Sequence, residues 1–191
     1  MRTNTPRIPP LTDDQLKPDQ EALIAPLRAT GRDFNINRVF ARHPAAQIAF
    51  RVWATHVFYS DDNTIRPRER EILVLRTAWR VKCGYEWTRH MEIARKAGLR
   101  DDEIEAVKRP VADGNWSARD AALIKAADAL VADYFIPDDV WAELSAHFDD
   151  RECMDAMFTV GLYASLAMVL NSAGVPIDHD VTLDPELDAR V

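Results

Sequence analysis

The chain has 191 residues, of which 47% are apolar and 29% charged, as in globular and not disordered proteins. This length predicts one large domain or two small ones, with a hydrophobic core large enough to be stable without disulfides or metal ions. With 24 Lys and Arg against 31 Asp and Glu, the net charge is −7, so we expect neither nucleic acid nor a membrane as a partner. The two cysteines are too few for a disulfide framework.

The N-terminal segment differs in composition from the rest of the chain. Residues 1–18 hold four of the eleven prolines and predict an extended arm, followed by a single all-helical domain over 19–191. The first ten residues have no apolar run of the kind found in signal peptides. We therefore expect a cytoplasmic protein.

The first half of the domain predicts five helices. Apolar residues recur at three-to-four spacing, and prolines and glycines mark the boundaries. The predicted helices run from about Asp19 to Thr30, from Asn35 to Arg42, from Pro44 to Tyr59, from Pro67 onward, and through the segment after Cys83 to Ala97. In the fourth of these, Ile72, Leu75, Ala78 and Trp79 mark the predicted core face.

The second half predicts four more helices. They begin near Asp101, at Ser117, at Pro137 and at Asp149 or Asp150, and the last ends at Gly174 and Pro176. Residues 156–177 carry no charge and are long enough to cross a bilayer. However, they include several polar residues, and no cluster of positive charges flanks them. We expect a buried core helix there. With no period-two alternation, the fold class is all-α with seven to nine helices.

One segment carries chemically useful side chains at helical spacing. Cys83, Glu86 and His90 stand at i, i+3 and i+7, so a thiol, a carboxyl group and an imidazole share one helix face. Glu86 and His90 are also an i, i+4 pair, for which we expect a hydrogen bond. Glu71 on the preceding helix is a possible second carboxylate, although it could equally bridge to a neighbouring arginine.

The same residues carry a resemblance. Glu71, an eleven-residue gap, Cys83-Gly-Tyr-Glu86-Trp-x-x-His90, and then Ala97-Gly98-Leu99 resemble the carboxymuconolactone decarboxylase superfamily, which includes the alkyl-hydroperoxidase D type of thiol peroxidase. The later run from Phe158 to Val175 is also similar to uncharacterised members. The resemblance implies an all-helical fold that assembles as a homo-oligomer, a trimer or hexamer, with the active site near a subunit interface.

The departures from the peroxidase branch bear on the reaction. That branch carries two thiols as Cys-x-x-Cys, whereas this chain keeps Cys83 and has Glu86 where the peroxide-attacking cysteine stands. A carboxylate cannot be oxidised to a sulfenic acid. In the decarboxylase branch a glutamate with a histidine four residues later is the usual arrangement, and this implies proton transfer. Tyr85 matches the middle histidine of the motif.

These observations predict a cofactor-free general acid/base enzyme that decarboxylates or isomerises a small carboxylate or carbonyl compound. Glu86 and His90 are the expected acid/base pair, Glu71 orients them, and Tyr85 donates a hydrogen bond to an enolate oxygen. One alternative is a thiol-dependent hydroperoxide reductase that uses Cys83, which is otherwise a small buried residue. Another is a non-catalytic helical assembly module.

Other polar residues remain open at this stage. Tyr163 and Asn171 lie on the otherwise apolar last helix and need buried partners, either to stabilise the fold or to line the pocket. His56 and Cys153 are expected in the core. We expect no metal, because Glu-x-x-x-His is not the Glu-x-x-His pattern of di-iron bundles and zinc requires more nitrogen or sulfur ligands.

Overall fold

The computed structural model describes residues 2–188, so residue 1 of the predicted arm and residues 189–191 of the predicted domain lie outside the described residues. Within them there is no β-strand, which confirms the all-α fold class, and the nine α-helices match the upper predicted number. The helices are α1 (Pro18–Ala29), α2 (Asn35–Phe40), α3 (Pro44–Tyr59), α4 (Pro67–Arg80), α5 (Gly84–Lys96), α6 (Asp101–Val107), α7 (Ala118–Asp133), α8 (Asp138–Ser145) and α9 (Asp150–Ala173).

Local chemistry explains where the helices begin. Pro44 and Pro67 occupy the first positions of α3 and α4, where a missing N–H costs no intrahelical hydrogen bond. The Ser117 hydroxyl accepts from the backbone N–H of Asp120 at 3.1 Å and caps α7. At the start of α9, Asp149 and Glu152 cap each other's backbone N–H groups reciprocally. These signals are local in the sequence, which is why the predicted boundaries lie close to the observed ones.

Helix α4 is the centre of the fold and packs against α5, α7 and α9. Instead of a single buried face, every residue from Glu71 to Ala78 is buried, because neighbours surround the helix. The guanidinium of Arg76 is tolerated there because it pairs with Asp128 and donates to the backbone carbonyls of Val107 and Arg109. A central α4 places its polar side chains inside the protein.

Helix α9 packs against α3, α4, α7 and α8. By length and composition alone it is long and apolar enough to cross a membrane, and 56% of its most apolar window is buried inside the protein. A core helix of a globular protein passes the same test, so this helix is weak evidence for a membrane span. Its buried face includes Tyr163, which therefore points into the protein.

The N-terminal arm is tied to the end of α9. The backbone N–H groups of Arg7 and Ile8 both donate to the carbonyl of Ala173, the last residue of α9. Gly174 follows with a φ of +67°, and a Cβ built there would overlap the Thr3 side chain. Gly174 therefore serves both the left-handed helix end and the close approach of the arm.

Replacing Gly174 with alanine should destabilise the protein more than the same change at Gly31. Both glycines have a φ of +67°, but a Cβ at Gly31 would meet nothing within 4 Å. We expect a loss of about 1 kcal/mol for Gly31→Ala and about 2–3 kcal/mol for Gly174→Ala, measured from urea unfolding midpoints. Equal losses would show that the arm contributes nothing at this contact.

Candidate active site

Four helices bring the predicted residues and two others together inside the protein. Helix α4 supplies Glu71, the α4–α5 connection supplies Cys83, and the first two turns of α5 supply Glu86 and His90. Helix α9 adds Tyr163 and α3 adds Phe58, whose ring lies 5.9 Å from that of His90 and 6.0 Å from that of Tyr163 between centroids. We call Glu71, Cys83, Glu86, His90 and Tyr163 the polar cluster.

Both ring nitrogens of His90 are engaged. Nδ1 lies 2.7 Å from Oε2 of Glu71, and Nε2 lies 2.8 Å from the hydroxyl oxygen of Tyr163. Glu71 also accepts from Nε of Arg70 at 3.1 Å. A carboxylate at Nδ1 favours the tautomer with the proton on that nitrogen, so Nε2 is the basic atom and the Tyr163 hydroxyl donates to it.

The predicted hydrogen bond between Glu86 and His90 is therefore wrong. Their i, i+4 spacing places them on one face of α5, but helical spacing says nothing about partners from other helices. Glu71 from α4 and Tyr163 from α9 take the two imidazole nitrogens. The carboxylate paired with the imidazole is Glu71, the residue predicted to orient the pair.

Glu86 is buried without a hydrogen-bond partner. The residue is 2% exposed, and neither carboxyl oxygen has a partner among the residues from 2 to 188. Burial raises the pKa of Glu86 well above its ordinary value, and the neighbouring Cys83 thiol only partly opposes this shift. Burial therefore favours the protonated form of this carboxyl group, and that form can donate a hydrogen bond.

Cys83 and Tyr163 are held neutral in the same way. Burial raises the pKa of the Cys83 thiol well above its ordinary value, and ionisation of Glu86 would raise it further. Burial is also the main cause of the raised pKa of Tyr163, with the nearby Glu71 carboxylate acting in the same direction. The thiolate is the nucleophilic form of cysteine, so this environment opposes thiol chemistry at Cys83.

Tyr85 belongs to a different group of contacts. Its hydroxyl donates to Asp178 at 2.6 Å and accepts from the backbone N–H of Ile36 at 3.3 Å. Burial and the charge of Asp178 raise the pKa of Tyr85. Arg89 binds the same Asp178, so these residues link α5 to α2 and to the C-terminal segment. The Tyr85 hydroxyl is thus bound to Asp178 and the backbone of Ile36, whereas Tyr163 is the tyrosine that contacts His90.

Tyr85→Phe is accordingly expected to cost stability and leave the polar cluster unchanged. The variant removes the donor to buried Asp178 at constant shape, which costs about 1–3 kcal/mol. Denaturant unfolding measures this loss, and the rate of the deuterium exchange proposed below should stay within about twofold of the wild type. A large loss of rate in a folded Tyr85→Phe protein would restore the sequence-based role.

The remaining polar residues lie outside the polar cluster. His56 Nε2 lies 2.7 Å from Asp155, which also accepts from Thr64, and Asn171 donates to the carbonyl of Val81. Cys153 is buried in an apolar core. In the described part of the chain, no group of three or more His, Cys, Asp or Glu side chains is arranged to hold a metal ion. Sequence reasoning missed Arg70 and Phe58, which carry no motif signal.

Comparison with known proteins supports the resemblance. The model of the carboxymuconolactone decarboxylase family matches residues 44–129, which contain α3 to α6 and most of the polar cluster. No curated protein is significantly similar in sequence.

Several solved structures share the fold. An uncharacterised peroxidase-related protein with an alkylhydroperoxidase AhpD core, from Ralstonia eutropha, has a TM-score of 0.78 at 18% identity, covering 93% of this chain and 95% of that one. A second peroxidase-related protein, from a Silicibacter species, has a TM-score of 0.74 at 18% identity and covers 93% and 92%. The debrominase Bmp8, as a cysteine-to-alanine variant with 2,3,4-tribromopyrrole, has a TM-score of 0.74 at 13% identity and covers 94% of both chains.

Proposed function

We propose that this chain, whose residues 44–129 belong to the carboxymuconolactone decarboxylase family and which has the AhpD-like fold, is an enzyme that transfers protons on a small carboxylate or carbonyl compound without a cofactor. The observation that carries this proposal is the buried Glu86 carboxyl, which has no hydrogen-bond partner and stands one turn of α5 before a histidine bound by a carboxylate. Burial raises the pKa of Glu86 and so favours its protonated form. Unsatisfied buried polar groups are costly, and they cluster at functional sites.

The proposed roles follow from the contacts. His90 acts as the general base through Nε2, and Glu71 fixes its tautomer and stabilises the imidazolium that forms. Protonated Glu86 donates a hydrogen bond to the developing enolate oxygen, as neutral carboxylic acids do in apolar sites. The Tyr163 hydroxyl donates to Nε2 of His90 until the substrate binds, or it relays the substrate proton to that nitrogen.

The thiol-dependent alternative is supported by the fold neighbours, two of which are peroxidase-related proteins and one a debrominase studied as a cysteine variant. The buried, protonated state of Cys83 counts against it. A non-catalytic module is disfavoured by the burial of Glu86 and His90, since surface pairing needs no such shielding. The exposed apolar side chains Ile48 and Val52 on α3, with Met154 and Phe158 on α9, support the proposed homo-oligomer.

The test is deuterium exchange at carbon. Phenylacetone and phenylpyruvate are incubated with the protein in deuterated buffer, and loss of the benzylic C–H signal is followed by proton NMR. We expect faster exchange with the wild type than without protein, a large loss of this activity in Glu86→Leu, which has no hydrogen-bond donor, and retention of most of it in Cys83→Ser. Glu92→Gln, an exposed glutamate on the same helix, is the matched control.

Two results would decide for the alternative. Abolition of exchange by Cys83→Ser alone would refute the acid/base scheme. Rapid consumption of cumene hydroperoxide, with a sulfenic or mixed-disulfide adduct on Cys83 in the mass spectrum, would identify a thiol peroxidase.

A further inference from the structure

The charges and walls around the polar cluster restrict the compound on which it can act. We infer that the substrate is an uncharged carbonyl compound with an apolar or aromatic body, so that the reaction is enolisation or isomerisation and not decarboxylation. This inference rests on the proposed function and narrows its substrate to one of the two classes considered. It depends on three observations: the contacts of Arg70, the environment of Glu86, and the aromatic side chains around Phe58, which we call the aromatic wall.

The positive charge of Arg70, beside the polar cluster, is already paired with a carboxylate. Arg70 donates from Nε to Glu71 at 3.1 Å and from Nη1 to the carbonyl of Val57 at 3.4 Å. Its guanidinium carbon lies 4.5 Å from the centroid of the Phe58 ring. Because the charge of Arg70 is balanced by Glu71, a bound carboxylate would bring an uncompensated negative charge into a buried site.

The carboxyl groups of the site also disfavour an anionic ligand. Glu71 is 0% exposed and Glu86 is 2% exposed, and both lie close enough to Tyr163 to affect its ionisation. A substrate carboxylate would be repelled by the Glu71 carboxylate. A neutral carbonyl oxygen needs only a donor, and the unpartnered carboxyl of Glu86 supplies one.

The residues packed around the polar cluster are largely apolar, which favours contact with an apolar body. Val57, Val74, Leu162 and Tyr163 form one buried apolar cluster, against which Phe50, Trp53 and Phe58 pack. Phe58 contacts both His90 and Tyr163 and is itself only half-buried, so this ring is where a substrate would reach the cluster. Rings packed at tilted and edge angles accept a further aromatic group readily.

The proposed step balances without a co-reactant. Nε2 of His90 takes the proton from the carbon next to the carbonyl, and the electron pair of that C–H bond forms the C=C bond of the enolate. The enolate oxygen is stabilised by the hydrogen bond from Glu86. Return of a proton to the same carbon gives exchange with solvent, and return to a conjugated carbon gives an isomer.

The test compares two ligands that share a benzyl ketone body. Phenylacetone carries a methyl group where phenylpyruvate carries a carboxylate, so their dissociation constants, measured by calorimetry and ligand-observed NMR, report the cost of the charge. We expect phenylpyruvate to bind the wild type about 100-fold more weakly than phenylacetone. In Glu71→Gln, which frees Arg70, phenylpyruvate binding should strengthen about tenfold while phenylacetone binding stays the same.

Each outcome separates the inference from the proposed function. Equal or tighter binding of phenylpyruvate to the wild type would overturn the inference, even if carbon exchange is observed. Binding of neither compound would also overturn it, because the aromatic wall should accept a benzyl ketone. Selective binding of phenylacetone without any exchange would keep the assigned ligand class and contradict the proton-transfer function.

Discussion

His90→Asn is expected to lower the rate of deuterium exchange into phenylacetone by about 1,000-fold. Asparagine keeps a side chain of similar polarity but has no basic nitrogen, so it cannot take the proton that the imidazole Nε2 takes. The NMR exchange assay measures this loss directly. Circular dichroism and the urea midpoint establish that the variant is folded, since His90 is buried between Glu71 and Tyr163.

The matched control is His56→Asn. His56 also pairs with a carboxylate, Asp155 at 2.7 Å, but it lies on α3 outside the polar cluster. Its replacement should leave the exchange rate within about twofold of the wild type. A normal rate in His90→Asn, or an equal loss in both variants, would remove the assignment of His90 as the base.

Glu71→Gln distinguishes a base from the group that orients it. The glutamine still accepts from Nδ1–H of His90 but no longer stabilises the imidazolium, so we expect a loss of rate smaller than that of His90→Asn. A purely structural glutamate would lower the amount of folded protein without lowering the exchange rate per folded molecule.

The helices could be predicted from the sequence because their signals are local. Pro44, Pro67 and Ser117 act within one helical turn, and apolar spacing supplies the rest. The all-round burial of α4 could not be predicted, since it depends on α7 and α9, which are distant in sequence, as well as on the adjacent α5. The sequence of α4 contains several charged residues, including Arg76. Such a distribution of charge predicts a helix with only one buried face.

The candidate site was predictable only in part, for the same reason. Spacing and the family motif identify Cys83, Glu86 and His90, and the structure buries all three, with Cys83 next to Glu86. The partners of His90 come from positions 19 residues before and 73 residues after it. No spacing rule relates such residues, which is why the sequence pointed to Tyr85, the tyrosine adjacent in the motif, whereas the tyrosine that contacts His90 is Tyr163.

The pH dependence of stability offers a test of Glu86 that needs no substrate. In the unfolded chain this glutamate ionises near pH 4.5, whereas burial raises its pKa in the folded protein well above that value. Between these two pKa values the folded state binds more protons than the unfolded state. The contribution of Glu86 to stability therefore decreases as pH rises, by about 1.4 kcal/mol per pH unit, until the folded pKa is reached.

Glu86→Gln should remove this dependence. The glutamine cannot ionise, so its own unpartnered amide adds only an offset that is the same at every pH. We expect the free energy of unfolding of Glu86→Gln, relative to the wild type, to increase as the pH rises from 5 towards the raised pKa of folded Glu86 in urea titrations. Cys83 and Tyr163, whose pKa values are also raised, do not ionise in either state within this window.

Glu92→Gln supplies the comparison, because Glu92 lies on the same helix but its side chain is 72% exposed. Its difference from the wild type should stay constant over the same pH range. If the Glu86→Gln difference were also constant, Glu86 would ionise at the same pH in both states, which requires a donor or cation beside it when the protein is folded. That result would remove the protonated carboxyl on which the hydrogen bond to the enolate oxygen depends. A rising difference would instead support a Glu86 carboxyl that burial keeps protonated in the folded protein.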